Sequence, residues 1–437
     1  MTCAAGHVSV RVLAAEVSAH EGETVLLQGW THSLRQLGNI AFLVLRDRSG
    51  LVQCVLEGPL AAQTVNLESV ISVSGKVVAS QPAPGGFEVS ATDVTVISPA
   101  VAPLPLGINK KEINAGLEAI LNHRVLSLRH PKTHAIFKVA AVLAGAFREY
   151  LTTQGFTQIF TPKIVATGTE GGSNLFAVQY FEQQAYLAQS PQFYKQMMVG
   201  AGYERVFEIA PVYRAEEHNT SRHINEFISM DVEMGFIQSE EDLMLLETNL
   251  LRHMFQAVGR QCEAELAMYG VTAPQFEAIP RFTMAETHAI LERHYGKISP
   301  KEDLDPESER LICQYVGESG KPQLVFITRY PRSVRPMYAM PAPEDASLTA
   351  SFDLLMNGLE VTTGGQRIHL PQMLIESIRA KGLNPEHFTT YLETFWEGMP
   401  PHGGFASSLE RLTARLLGLA NVREASAFPR DRTRLTP

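Results

Sequence analysis

The chain has 437 residues, 45% of them hydrophobic and 19% charged, and a net charge of −9. That length predicts about two to three domains, each able to bury its own core. An acidic total excludes indiscriminate binding to nucleic acid, which needs basic surface, but leaves room for a localised basic patch. Cys3, Cys54, Cys262 and Cys313 form no CxxC pair and read as buried or idle thiols in a reducing compartment. There is no signal pattern and no run of about 18 apolar residues, so the expectation is a cytoplasmic protein without a membrane span. His130 and His134, one helical turn apart with no third ligand nearby, read as helix-surface residues rather than a zinc pair.

Residues 1–105 read as short strands: Val25–Trp30, Ile40–Leu45, Leu51–Leu56, Val70–Val78 and Phe87–Ile97. Turn signals separate them, among them Asp47-Arg48-Ser49-Gly50 and Pro82-Ala83-Pro84-Gly85-Gly86. Five such strands suggest a small closed barrel, and the oligonucleotide-binding OB-fold is one five-stranded option among other small β domains. Pro99, Pro103 and Pro105 within eight residues open a linker, and residues 106–130 read as a hinge. From residue 131 to 437, helical patterns alternate with strand-like runs, including Val206–Tyr213, Phe227–Met234, Leu324–Tyr330 and Leu359–Thr363. A helix Lys132–Gln154 carries Ile136, Val139, Ala140, Leu143 and Phe147 at helical spacing. Strands and helices without strict βαβ alternation predict an α+β domain, not a doubly wound one.

Chemistry concentrates between Phe207 and Met234. An apolar strand ends at Arg214, a polar loop carries Glu216, Arg222 and His223, and a second strand ends in Asp231-Val232-Glu233. A guanidinium fixed on a strand suits a phosphate or carboxylate gripped through two parallel hydrogen bonds. The bland alternative is a solvated, charged hairpin. Near the C-terminus, Pro400-Pro401-His402-Gly403-Gly404-Phe405 leads into a helix in which Leu409, Leu412, Leu416 and Leu417 form one stripe, with Arg411 opposite. Such an arginine, close to a helix N-terminus, adds to positive charge suited to phosphates.

These stretches resemble motifs 2 and 3 of the class II aminoacyl-tRNA synthetases, in the aspartyl/asparaginyl subgroup. The resemblance implies a catalytic domain with an antiparallel sheet flanked by helices, at residues 131–437, behind an OB-fold anticodon-binding barrel at 1–105. It implies that Arg214 holds the α-phosphate and the amino-acid carboxylate, and that Glu216, Arg222, His223, Ser408 and Arg411 contact ATP. Helix Lys132–Gln154 followed by Gly155–Pro162 resembles motif 1, which implies a homodimer. One departure stands out: Ala406-Ser407-Ser408-Leu409 occupies the place of the family's Gly-Leu-Gly-Ala.

Ser190-Pro191-Gln192-Phe193-Tyr194-Lys195 resembles the aspartyl signature, which implies Gln192 and Lys195 in the substrate pocket. Gly364-Gly365-Gln366-Arg367 resembles the segment whose arginine receives the substrate's side-chain carboxylate. Two cations suit a −1 side chain, and either one left unpaired would penalise neutral asparagine. Thr169-Glu170-Gly171-Gly172 resembles a loop that closes over substrate, with Glu170 on its ammonium group. Glu360 and Thr363 fall where the family holds Mg²⁺, and Thr363 also meets aspartate; the family's serine is a threonine here. Residues three apart on a straight strand face opposite ways, so a bend near Gly364 is expected.

In the barrel, Gln28–Arg35 and Arg46 are expected to face the anticodon, with Phe42 stacking on a base. The chain is short enough to match the archaeal-type branch of the aspartyl enzymes. His32 and Pro84 stand where members restricted to tRNA-Asp tend to have Trp and Lys. The resemblance therefore implies a non-discriminating enzyme that charges tRNA-Asp and tRNA-Asn, whose second product feeds an amidotransferase. The alternatives are a discriminating aspartyl enzyme, an asparaginyl enzyme, an amide-forming relative without the barrel, and a non-catalytic tRNA-binding regulator.

Overall fold

The computed structural model describes residues 11–169, 175–218 and 220–437, with Pro84 described by its backbone alone. Glu170 and Cys3 lie outside the described residues. The chain divides into two compact units, residues 1–131 and 132–437.

In the first unit, β1 (Thr24–Leu37), β2 (Ile40–Arg46), β3 (Leu51–Glu57), β4 (Val70–Ala79) and β5 (Phe87–Ser98) close into a barrel of order β1-β2-β3-β5-β4. Alternation sets the inside: Leu27, Leu43, Cys54, Val73 and Val89 are fully buried, while their neighbours face outward. Strand β1 runs seven residues past the expected end at Trp30. It serves two partners, β4 through residues 24–30 and β2 through residues 30–37, with a bulge at His32 between them. Two short helices, α1 (Leu117–Asn122) and α2 (Arg124–Ser127), follow the proline-rich linker. His130 corrects the surface reading: it precedes the next helix, is 3% exposed, and its Nε2 bonds the Lys110 carbonyl at 2.9 Å. No group of three potential ligands able to hold a metal occurs among the described residues.

The second unit opens with α3 (Pro131–Thr153), whose proline occupies the first turn, where its missing N–H costs nothing. Strand β6 (Thr157–Gln158) follows, and then a small sheet of β7 (Ile164–Val165), β8 (Ala177–Tyr180) and β9 (Gln183–Leu187). Helix α4 (Gln192–Met198) precedes the hairpin β10 (Arg205–Tyr213) and β11 (Glu226–Gly235). Helices α5 (Glu240–Gln261) and α6 (Glu263–Tyr269), β12 (Arg281–Thr283), α7 (Met284–Tyr295) and α8 (Pro306–Glu318) come next. The remainder is β13 (Leu324–Thr328), β14 (Ser351–Met356), β15 (Leu359–Arg367), α9 (Pro371–Ala380), α10 (Thr389–Trp396), β16 (His402–Ser408) and α11 (Leu409–Leu417).

Eight of these strands form one sheet, β12-β13-β14-β15-β16-β11-β10-β6, parallel only where β12 meets β13 and β6 meets β10. The fold is α+β, as the pattern predicts. Its core joins Leu143 and Phe147 of α3 and Leu251 and Phe255 of α5 to Phe207, Val232 and Phe405 of the sheet. Phe405 sits on a central strand with no exposed surface. Phe405→Ala is expected to lower the unfolding free energy by about 3–5 kcal/mol, read as a drop in the urea midpoint.

Candidate active site

One cavity of about 670 Å³ in the second unit is lined by Gln192, Lys195, Arg214, Glu216, Arg222, His223, Glu360, Thr363, Arg367, Ser408 and Arg411. All the candidate residues of this unit that the structure describes therefore converge. Four elements deliver them: α4, the β10–β11 hairpin, β15, and the β16–α11 junction.

The hairpin fixes Arg214 through its backbone. Its N–H donates to the Asn225 carbonyl at 2.9 Å, and Asn225 Nδ2 donates back to the Arg214 carbonyl at 2.7 Å. The guanidinium then lies 5.4 Å from the Phe227 ring centre, within cation–π range. On the far side, Ser408 caps α11 by accepting from the Arg411 N–H at 3.3 Å. Arg411 Nη1 donates to the Glu360 carbonyl at 3.0 Å and lies 3.5 Å from its carboxylate. Burial alone would raise the Glu360 carboxyl, but Arg411, the Thr363 hydroxyl, Arg335 and Arg214 together hold it below the ordinary value. Both arginines thus act on the same carboxylate, Arg411 by direct contact and Arg214 through its charge.

Glu360 and Thr363 do lie together, with the Thr363 hydroxyl donating to Glu360 Oε1 at 3.0 Å. The bend that allows this is not near Gly364. Glu360 pairs with Leu355 and Thr362 with Leu354, so Val361 is the extra residue of a bulge that restores the alternation.

Beside this pair lies a charge cluster. Lys195, 1% exposed, sits 3.1 Å from Asp231 and 3.3 Å from Glu233. Arg367 Nε donates to the other oxygen of Glu233 at 3.1 Å, and its Nη2 donates to the Gly404 carbonyl at 3.0 Å. Burial would raise Glu233, yet Arg367 and Lys195 hold it ionised and below its usual value. Each of the two cations thus already has a carboxylate partner. Gly404 makes room for that arrangement, since a Cβ there would collide with the Val232 carbonyl and the Glu233 carboxylate.

Arg222 is ion-paired with Glu309 of α8, and His223 Nδ1 lies 2.7 Å from the Thr220 hydroxyl. Burial and Arg411 lower the His223 pKa, keeping the ring neutral at pH 7. Sequence reasoning missed Glu309, Asn225, and the Arg335–Asp353 pair at 2.8 Å, which faces Glu360. One signal existed: Asp353 is a lone carboxylate within the apolar run Ser351–Met356.

The two unusual serines are absorbed locally. Ser408 is the helix cap, and the Ser407 hydroxyl bonds that of Thr362 on the neighbouring strand at 2.6 Å.

Residues 116–432 match the tRNA synthetases class II (D, K and N), and residues 25–97 match an OB-fold nucleic acid binding domain. The chain belongs to this synthetase family. Similar relatives include the aspartate–tRNA(Asp/Asn) ligase of Thermus thermophilus, 53% identical over 98% of this chain and 100% of that one. That of Deinococcus radiodurans is 52% identical over 98% and 99%. Among solved structures, asparaginyl-tRNA synthetase from Pyrococcus horikoshii, complexed with asparaginyl-adenylate, superposes with a TM-score of 0.91. It is 31% identical and covers 98% of this chain and 100% of its own. As a member of the family, the enzyme is an ATP-dependent tRNA synthetase.

Behind the synthetase's eight-stranded sheet, Glu247 of α5 is 1% exposed, and burial pushes its carboxyl from 4.5 up to about 8, with the Thr362 hydroxyl pulling the other way. A raised folded-state pKa means its contribution to stability is complete below pH 4.5 and lost as pH rises towards 8. Glu247→Gln removes that loss. The variant's thermal midpoint, relative to the unsubstituted protein, is expected to rise steadily between about pH 5 and pH 8, by up to a few kcal/mol in stability.

Proposed function

We propose that this synthetase activates aspartate and transfers it to both tRNA-Asp and tRNA-Asn. One observation carries the reading: Lys195 and Arg367 converge on Glu233 in the same cavity where Arg214 and Arg411 converge on Glu360. That gives one subsite for an amino-acid side chain beside one for a polyphosphate. Names borne by relatives at 53% and 52% identity support aspartate and both tRNAs.

In this reading the α-carboxylate of aspartate attacks the α-phosphate of ATP in line, forming aspartyl-adenylate and releasing pyrophosphate. The terminal adenosine hydroxyl of tRNA then attacks the mixed anhydride, taking the aspartyl group and releasing AMP. No protein nucleophile is required, so the protein's part is to position reactants and stabilise charge. Arg214 bridges the α-carboxylate and α-phosphate. Gln192, Lys195, Arg367 and Thr363 hold aspartate, with Glu170 on its ammonium group. Glu216, Arg222, neutral His223, Ser408 and Arg411 hold ATP.

Glu360 and Thr363 present two hard oxygens 3.0 Å apart, a donor set that fits Mg²⁺ shared with phosphate oxygens and water. Bound there, the ion would supply charge neutralisation to the phosphates. Phe160, 83% exposed two residues after β6, supports a homodimer through the α3–β6 segment. Asp-tRNA-Asn made in the cytoplasm would need an amidotransferase to complete it.

Similarity to an asparaginyl enzyme makes asparagine the substrate to exclude. Pyrophosphate exchange is expected with aspartate and not with asparagine; the reverse result ends the aspartate reading. Charging is expected on both purified tRNAs, and failure on tRNA-Asn would restrict the enzyme to tRNA-Asp. Arg411→Ala is expected to slow adenylate formation about 10²–10³-fold in single-turnover measurements.

A further inference from the structure

Arg222 lies in the loop between β10 and β11, yet its side chain lines the cavity. Local hydrogen bonds tie the loop down: the Ser221 carbonyl accepts from the Val422 N–H at 2.9 Å, and the Arg222 N–H donates to the Thr220 hydroxyl at 3.2 Å. Neither contact fixes the guanidinium, which sits at the end of a long stem. Like charge works against it as well. Burial, Arg222 and Arg411 all disfavour the charge on Arg415, one turn after Arg411 on α11, so three guanidiniums crowd one region. Mutual repulsion would drive the one carried by a loop out to water.

Glu309 opposes that drift. It belongs to the first turn of α8, a helix anchored through Ile312, Cys313 and Val316 to Val325 and Ile327 of β13 and Leu355 of β14. Its carboxylate is 7% exposed and accepts from Arg222 Nη2. Burial, with Glu360, pushes the carboxyl up to about 7, against the pull of Arg222 and Arg411. The start of a helix also favours its charge. The pair uses one nitrogen of the fork. Among the described residues Arg222 Nη1 and Nε have no hydrogen-bond partner, so those donors remain for a second anion.

We propose that Glu309 is a positioning residue that holds the Arg222 guanidinium inside the cavity, where its remaining donors meet the polyphosphate of ATP. The proposal rests on the reading of Arg222 as an ATP contact. Glu309 itself touches no substrate. A packed helix lends the loop one fixed oxygen, and the ion pair disfavours the solvated conformers in which Arg222 points away. ATP then meets an arginine already in place, with less ordering left to be done on binding. Glutamine at this position would keep the shape and lose the charge, so the repulsion among Arg222, Arg411 and Arg415 would go unopposed there.

The test measures pyrophosphate exchange by the full-length enzyme, Arg222→Ala, Glu309→Gln and the double variant, at about pH 8, where Glu309 is ionised. Arg222→Ala is expected to raise KM for ATP roughly tenfold or more, the scale of a lost charge-assisted hydrogen bond. Glu309→Gln is expected to raise it about fivefold while KM for aspartate stays unchanged, a split that general loosening of the fold would not give. The double variant is expected to match Arg222→Ala, because Glu309 acts only through that arginine. If Arg222→Ala leaves KM for ATP unchanged, the reading of Arg222 falls, and the positioning proposal with it. If Arg222→Ala acts while Glu309→Gln leaves KM for ATP unchanged, only the positioning proposal falls. A lower KM for ATP in Glu309→Gln would mean that the carboxylate competes with ATP for Arg222, and overturns it too. So does a rise in both KM values, or a double variant worse than Arg222→Ala. Should Glu309→Gln not fold, as read by circular dichroism, Glu309→Asp replaces it. That shortened carboxylate is expected to raise KM for ATP about threefold, and the same outcomes decide.

Discussion

A single buried carboxylate, Glu233, holds together two of the cations that line the cavity. It has no exposed surface and stands between Lys195 and Arg367, so each ion is solvated by the others rather than by water. Removing any one would strand the rest in a medium of low polarity. This is why the strand beside it must be glycine at position 404, and why Arg367 also borrows the Gly404 carbonyl. With Asp231 included, two cations and two carboxylates balance one another. In the proposed function, aspartate would enter by exchanging partners within this frame rather than by neutralising bare charge. Preorganisation of this kind lets binding free energy go into orienting the reacting groups.

Two bulges do comparable work in separate units. In β15 the extra residue Val361 turns Glu360 and Thr363 to one side, and in β1 the extra residue is His32 itself. Each interrupts a ladder and re-aims side chains that regular pleating would send the other way. Neither is announced by glycine or proline at the bulged position. Val361 is a good strand former, and His32 lies in an otherwise alternating run. Their causes are tertiary: the paired strands impose a register that the bulged strand meets only with one residue to spare.

That distinction explains what the sequence disclosed. Period-two alternation gave four of the five barrel strands nearly to the residue, β1 excepted, and the apolar stripe of α3 gave its length, because burial enforces both locally. The candidate residues of the second unit were legible through resemblance of short motifs, and the structure gathers those it describes in one cavity. What stayed hidden were pairings between distant segments: Arg222 with Glu309, Arg335 with Asp353, Lys195 with Asp231. A charge shows in a sequence, but its partner hundreds of bonds away does not. Hence the carboxylate partners of Lys195 and Arg367 went unseen, Arg46 looked available to a base, and His130 looked like a surface residue.

The serines before α11 show how such partners reshape a motif. A leucine at 407, as the family pattern has it, would face the Thr362 hydroxyl with nothing to bond. Ser407 supplies a hydroxyl at 2.6 Å, and Thr362 in turn faces Glu247, whose buried carboxyl stays protonated at neutral pH. Because α5 packs on both β15 and β16, this line of polar groups crosses from the helix layer into the two strands that carry Glu360 and Ser408. The serine and threonine hydroxyls satisfy each other, while both carboxyl oxygens of Glu247 are buried without a hydrogen-bond partner. Ser408 fits the same logic at the strand's end: glycine would leave the first turn of α11 without its cap, whereas serine accepts the Arg411 N–H and steadies the guanidinium's helix. The altered motif thus supports the Arg411 helix and its neighbouring strand through side-chain hydrogen bonds.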